Sequence, residues 1–109
     1  MKVALVAAGA PNLPQGKAFY HPSKGLVFYP ANLPALPSNQ TYQLWLVPGQ
    51  GSPISAGVFD VDTKGNGSVL LPSLPFGLAA KAFAVTIEPR GGVPQPTGKK
   101  VLIGFVSQS

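Results

Sequence analysis

Apolar residues recur along this chain in short alternating runs divided by turn residues. The clearest run covers residues 82–88, where Phe83, Val85 and Ile87 fall on one side and Ala82, Ala84, Thr86 and Glu88 on the other. A period of two is the mark of a strand. Residues 41–47 hold Tyr42 and Trp45 among aliphatics, with Thr41 and Gln43 as the polar interruptions. That run predicts a strand used on both faces. A turn cluster over 48–53 leads to a partner strand over 54–61, and this pair is expected to hold the densest part of the core. Residues 17–21 and 26–29 flank Pro22, Ser23, Lys24 and Gly25, which predicts a hairpin. Further strands are expected over 3–8, 68–71 and 99–106, with Gly104 marking a bulge. Residues 30–39 carry three prolines, which excludes a central strand there. Leu33 and Leu36 should tuck inward from that crossover. Residues 62–67 predict a tight hairpin turn, with 68–71 as the returning strand. A loop follows over 72–80, with one helical turn near 78–81, and a turn-rich loop covers 89–98.

About seven to eight short strands separated by turns predict an all-β fold, an antiparallel β-sandwich forming a single domain over residues 1–109. Composition supports this. Thirteen Pro and thirteen Gly would suggest disorder in a polar chain, but 45% of residues are hydrophobic, so the turns divide apolar runs. The absence of Cys rules out disulfides, thiolate nucleophiles and Cys-ligated metals. The net charge of +5 comes from scattered basic residues, with only Lys99 and Lys100 adjacent. Nucleic-acid binding would need them clustered beside stacking aromatics, so no nucleic-acid partner is expected. Lys2, Lys99 and Lys100 could at most touch an anionic membrane surface, at about 1 kcal/mol each. No apolar run reaches the roughly 20 residues of a membrane helix. Residues 1–8 read as a first strand, their apolar run falling short of the ~7–15 residues of a signal-peptide core.

Candidate chemistry is sparse. His21 is the sole histidine and sits at a turn, without the orienting acid and activated hydroxyl of a triad. The acids are Asp60, Asp62 and Glu88. Asp60 and Asp62 are too close in sequence to straddle a sugar. The run from Asp60 to Gly67 imitates a calcium loop, but Lys64 and Leu71 occupy ligand positions, which leaves a plain turn. Glu88 precedes Pro89, Arg90, Gly91 and Gly92, and is expected to accept hydrogen bonds from the amides of that turn. Arg90 with the glycine amides could bind an anion, though locking the loop is the better reading. Trp45, flanked by Leu44 and Leu46, is read as a core or inter-sheet plug rather than a stacking platform. No catalytic residue, metal or cofactor is expected, and the chain is not read as an enzyme.

Several strings together resemble one family. They are Tyr42 to Val47 with Leu44 and Trp45; Ser55 to Phe59 with Gly57; Asp62 and the glycines of 65–67; Phe83, Val85, Thr86, Glu88, Pro89, Gly91 and Gly92; then Pro96, Thr97 and Gly98, and finally Gly104. Leu33 to Pro37 resembles the Leu-Pro-x-Leu-Pro lead-in. In order, over about residues 3–104, these are similar to the C-terminal domain of anti-sigma-K factors, the RskA family. The resemblance implies a bacterial membrane-anchored regulator with a cytoplasmic sigma-binding domain, one membrane helix and this outer domain. It implies that regulated proteolysis frees an extracytoplasmic-function sigma factor, and that this piece, excised from the longer protein, does not itself bind the sigma factor. Its expected partners are then the parent's helix and cytoplasmic domain, a protease, or an extracytoplasmic ligand, on the periplasmic or envelope side of the membrane. The alternative is a small secreted carbohydrate- or protein-binding β-module, which would expose Trp45, Tyr42 or Tyr29 on a flat face.

Overall fold

The computed structural model describes residues 2–6, 15–21, 25–71 and 80–106. Among these residues eight strands run in chain order as β1 (Lys2–Val6), β2 (Gln15–His21), β3 (Gly25–Ala31), β4 (Gln40–Pro48), β5 (Ile54–Phe59), β6 (Val69–Leu71), β7 (Ala80–Pro89) and β8 (Lys100–Phe105). All pairings are antiparallel, in the order β5-β4-β7-β8-β1-β2-β3-β6. Among the described residues, β1 and β8 pair through Val6 and Ile103. The sheet folds over on itself, so residues of β2 and β3 pack against residues of β4, β5, β7 and β8, as expected of a sandwich.

The core lies between the two layers. Ala18, Leu26 and Phe28 from one layer meet Tyr42, Leu44, Leu46, Phe59, Phe83, Val85 and Leu102 from the other. Phe28 meets Phe59 edge-on at 5.4 Å and Tyr42 stacks on Phe59 at 5.6 Å, so one ring ties the layers together. Leu33 is buried and Leu36 packs against the same cluster, as the apolar positions among the prolines predict. The Tyr42 hydroxyl donates to the Pro34 carbonyl and ties the crossover to β4. Burial raises the Tyr42 pKa.

The β2–β3 hairpin forms in the expected place. The turn over 62–67 does not close a hairpin. β6 pairs with β3 rather than β5, so this segment crosses from one layer to the other. The reason is its docking on the proline crossover: the Leu33 amide donates to the Gly65 carbonyl at 3.0 Å, and the Gly67 amide to Pro30 at 3.3 Å. Gly65 has φ +81°, and a Cβ there would lie 2.4 Å from the Leu33 oxygen. Side-chain capping finishes the turn, since Asp62 Oδ1 accepts from the Lys64 and Asn66 amides at 2.9 Å.

Other boundaries differ in detail. The irregularity in β8 is not at Gly104, which pairs regularly with Phe83. It falls between the pairs Val85–Leu102 and Thr86–Lys100, leaving Val101 extra. The slip lets the Ile87 amide reach the Lys99 carbonyl at 3.0 Å as the chain enters β8. A second bulge falls in β5, between the pairs Leu44–Gly57 and Trp45–Ser55, where Gly57 has φ +122°. Ala80 and Lys81 belong to β7 rather than to a helical turn. The rest of that expected turn, residues 7–8 of the first strand and most of the 72–80 loop lie outside the described residues.

Candidate functional site

β4 and β7 are buried on both faces, and the second face carries the unusual chemistry. Inner positions of β7 go to the core. Its outer positions, Ala82, Ala84, Thr86 and Glu88, are buried as well, as are Thr41, Gln43 and Trp45 on β4. The cover is the segment between β7 and β8, residues 90–99, which lies across this face as a strap. Trp45 is therefore fully buried, but not between the sheets as expected. It lies opposite Ala84 on the outer face, at the cleft that Pro96 of the strap also lines.

Side-chain hydrogen bonds pin the strap along its length. At its start, the Arg90 amide donates to the Asn39 carbonyl at 2.9 Å, its Nε to the Ser38 carbonyl at 3.1 Å, and its guanidinium pairs with Asp60 at 2.9 Å. Arg90 thus bridges two segments at the surface, in keeping with its reading as a lock on the loop. The Arg90 hydrogen bond is also the chief reason the Asp60 pKa is lowered. The turn closes through the Gly92 amide to the Pro89 carbonyl at 2.9 Å. Gln43 then treats the strap as a neighbouring strand: its Oε1 accepts from the Val93 amide at 3.0 Å and its Nε2 donates to the Val93 carbonyl at 2.9 Å. Gln95 Nε2 donates to the Pro53 carbonyl at 3.1 Å.

Glu88 holds the far end. It is 1% exposed. Its carboxylate accepts from the Thr86 hydroxyl at 2.5 Å, the Thr97 hydroxyl at 2.6 Å, and the amides of Thr97 and Gly98 at 3.1 Å. The expected amide donors, in the turn just after Pro89, are not the ones used. The donors come from the strap's end, because Gly98 can press against β7: a Cβ there would sit 1.6 Å from the Ile87 oxygen. Burial alone would raise the Glu88 pKa, but the hydrogen bonds from Thr86, Thr97 and Gly98 outweigh it and the pKa is lowered. The Thr86 hydroxyl also accepts from Trp45 Nε1 at 2.8 Å. A continuous chain of donors and acceptors thus runs from Trp45 through Thr86 to Glu88 and the strap.

Beside the strap the outer face opens into a cleft of about 450 Å³. Ala82, Ala84, Ile103 and Phe105 form its floor, with Trp45 and Thr86 at one side. Val47, Pro48, Gly49 and Pro53 form one wall, Pro96 of the strap another, and Lys81 and Lys100 stand on the rim. No acid lines it.

The sequence-predicted residues therefore divide. Tyr42, Leu44, Phe59, Phe83 and Val85 pack in the core. Gly57 forms a bulge, and Pro89, Gly91 and Gly92 shape the first turn of the strap. Trp45, Thr86, Glu88, Thr97 and Gly98 join in one hydrogen-bonded chain, with Pro96 beside it at the cleft. Gln43, Thr41, Lys81 and Phe105 were not singled out by sequence. Gln43 had a signal, as an amide inside an otherwise apolar strand, whereas the cleft residues had none because three strands supply them. Trp45 and Tyr42 are buried, so they do not form the flat aromatic face of a carbohydrate module, while Tyr29 is exposed beside Phe19 on the other layer. The side chain of His21 lies outside the described residues. Among the described residues no three of His, Cys, Asp and Glu group as metal ligands.

Comparison with known proteins adds one match. The family described as anti-sigma-K factor rskA, C-terminal, matches residues 1–101. No curated protein and no solved structure matches the chain.

Proposed function

The chain belongs to the anti-sigma-K factor RskA C-terminal family, and from that membership we propose that it is the extracytoplasmic regulatory domain of a membrane-anchored anti-sigma factor. This family is regulatory, and we infer that the domain controls its sigma factor without catalysis. The single observation that carries this reading is the extent of the family match, residues 1–101 of 109. In the proposed arrangement the domain is tethered on the envelope side by the parent's membrane helix. The cytoplasmic part of the parent, rather than this chain, holds the extracytoplasmic-function sigma factor. Regulated proteolysis of the parent then releases it.

The strap gives this reading a physical form. A regulator read by a protease needs a folded state that hides the cleavable backbone and a defined way of losing that protection. Strap residues 90–99 are held by side chains from β4 and β7 rather than by a full strand ladder. Loosening Glu88 or Gln43 frees the strap while leaving the core between the sheets intact.

The test is a reporter for the cognate sigma factor in cells carrying the full-length parent. Glu88→Gln and Gly98→Ala should shorten the lifetime of the parent and raise reporter output. A variant that is unfolded in vitro yet leaves both cleavage and reporter output at the wild-type level would sink the proposal.

A further inference from the structure

The cleft on the outer face has the chemistry of a ligand site, and this follows from its lining whether or not the chain acts on a sigma factor. Its volume of about 450 Å³ falls within the ~300–1,000 Å³ range of small-molecule clefts. The floor is aliphatic and aromatic, and Phe105 at its end is 66% exposed, which leaves its ring free to contact a ligand. The polar side chains at the cleft are few. Thr86 has its hydroxyl committed in both directions, accepting from Trp45 and donating to Glu88. A sugar, which needs many free hydrogen-bonding groups, has little to bind to there.

The remaining polar groups are Lys81 and Lys100, and both are cations with no ion pair among the described residues. The acids are all engaged elsewhere. Asp60 is paired with Arg90, Asp62 caps its own turn, and Glu88 lies under the strap with its oxygens taken by hydroxyls and amides. Among the described residues, the cleft is therefore an apolar slot with a positive rim that no acid compensates. β-strand register sets the two lysines at opposite ends of it: Lys100 pairs with Thr86, while Lys81 precedes Ala82, which pairs with Phe105. The floor between them spans four residues, about 13 Å.

We propose that this cleft binds an anionic amphipath, an alkyl-chain carboxylate whose hydrocarbon lies along Ala82, Ala84, Ile103 and Phe105 and whose head pairs with a rim lysine. A neutral alcohol of the same chain gains the apolar contact alone. An alkylammonium meets like charge.

Calorimetric titration of the folded chain with decanoate, below its micelle concentration, and with decanol tests this. Decanoate should bind saturably and about fivefold more tightly than decanol, a difference of about 1 kcal/mol, the upper end for an exposed ion pair. The double variant Lys81→Gln/Lys100→Gln should lose that preference and leave decanol binding unchanged. Phe105→Ser should weaken both ligands. These positions are exposed, so unchanged urea midpoints verify folding. Absence of saturable decanoate binding, equal affinity for acid and alcohol in the unaltered chain, or indifference of both ligands to Phe105→Ser overturns the proposal. Binding to vesicles of anionic phospholipid without binding to free decanoate overturns it too, and assigns the lysines to a membrane surface instead. None of these outcomes depends on sigma-factor release, so failure here and failure of the reporter test are separable.

Discussion

Glu88 shows what a single buried carboxylate can organise. An ionised group with 1% of its surface exposed is stable only because its acceptor sites are filled. Replacing it with Gln keeps the shape but turns charged hydrogen bonds into neutral ones and puts an NH₂ where an acceptor is needed. We expect Glu88→Gln to cost about 1.5–3 kcal/mol, the range for hydrogen bonds to charged groups, read as a urea midpoint shift. The pH dependence follows from the lowered pKa. The unfolded chain holds the proton more tightly, so the stabilisation is complete above the ordinary carboxyl value of 4.5 and is lost as pH falls through the lower folded value. Urea melts between pH 7 and pH 3 should show that loss, and Glu88→Gln should flatten it. The slope left over belongs to Asp60 and Asp62, whose pKa values are also lowered. If the variant and the parent show the same acid slope, Glu88 is not the group responsible. Trp45 makes the matching apolar contribution. Trp45→Ala should cost about 3–5 kcal/mol, even though the residue lies outside the inter-sheet core, because burial rather than location sets the loss. A midpoint shift below 1 kcal/mol would contradict its burial.

At the scale of elements, two glycines decide where segments can lie. Gly98 brings the end of the strap against β7, where a Cβ would overlap the Ile87 carbonyl. Gly98→Ala should therefore push Thr97 and Gly98 away from Glu88 and cost at least the 1–3 kcal/mol typical of overpacking. Hydrogen exchange should locate the effect, with faster exchange at the Thr97 and residue-98 amides and little change in β2 and β3. Gly65 plays the same part in the crossing between layers. It has a positive φ and no room for a Cβ beside the Leu33 backbone. Gly65→Ala should loosen β6 from β3 as well as the turn, because the turn is what delivers β6 to its partner. An exchange map in which only the turn amides speed up would contradict that coupling. The bulges in β5 and β8 also belong to this scale, since each frees backbone to reach a partner that strict register would miss.

At the scale of the molecule, both faces of the β5-β4-β7-β8 layer are in use, one packed on the opposite layer and the other partly covered by the strap and open at the cleft. This makes Trp45 an internal reporter. Its emission should be blue and resistant to iodide in the folded chain, and should become quenchable at strap-loosening substitutions before the far-ultraviolet signature of the sheets is lost. Simultaneous loss of both signals across Glu88→Gln and Gly98→Ala would mean that strap and sandwich unfold as one unit. The charge distribution is also a whole-molecule property. A net charge of +5 matters for the cleft only because the fold assigns every acid to another task.

Much of this architecture was legible in the sequence. Alternation in residues 82–88 and the apolar run of 41–47 specified strands, because side chains of a strand must point to opposite sides and apolar ones must find cover. Turn residues between short apolar runs specified a sandwich, and Leu33 and Leu36 among prolines specified a packed crossover. The burial of Trp45 could be anticipated, but not its side of the sheet. Period two separates two faces without saying which one meets the second layer when both are apolar. Strand partners were likewise decided by tertiary structure: the turn at Gly65 reads locally as a hairpin, and only its docking on the Leu33 backbone sends β6 to β3. Glu88 was recognisable as a lock, yet apart from Thr86 its donors lie nine and ten residues away, and only the folded strap brings them within reach. The cleft was decided by tertiary structure alone. Its floor, walls and rim come from β4, the turn between β4 and β5, β7, β8 and the strap, whose spacing along the chain carries no record of their meeting in space.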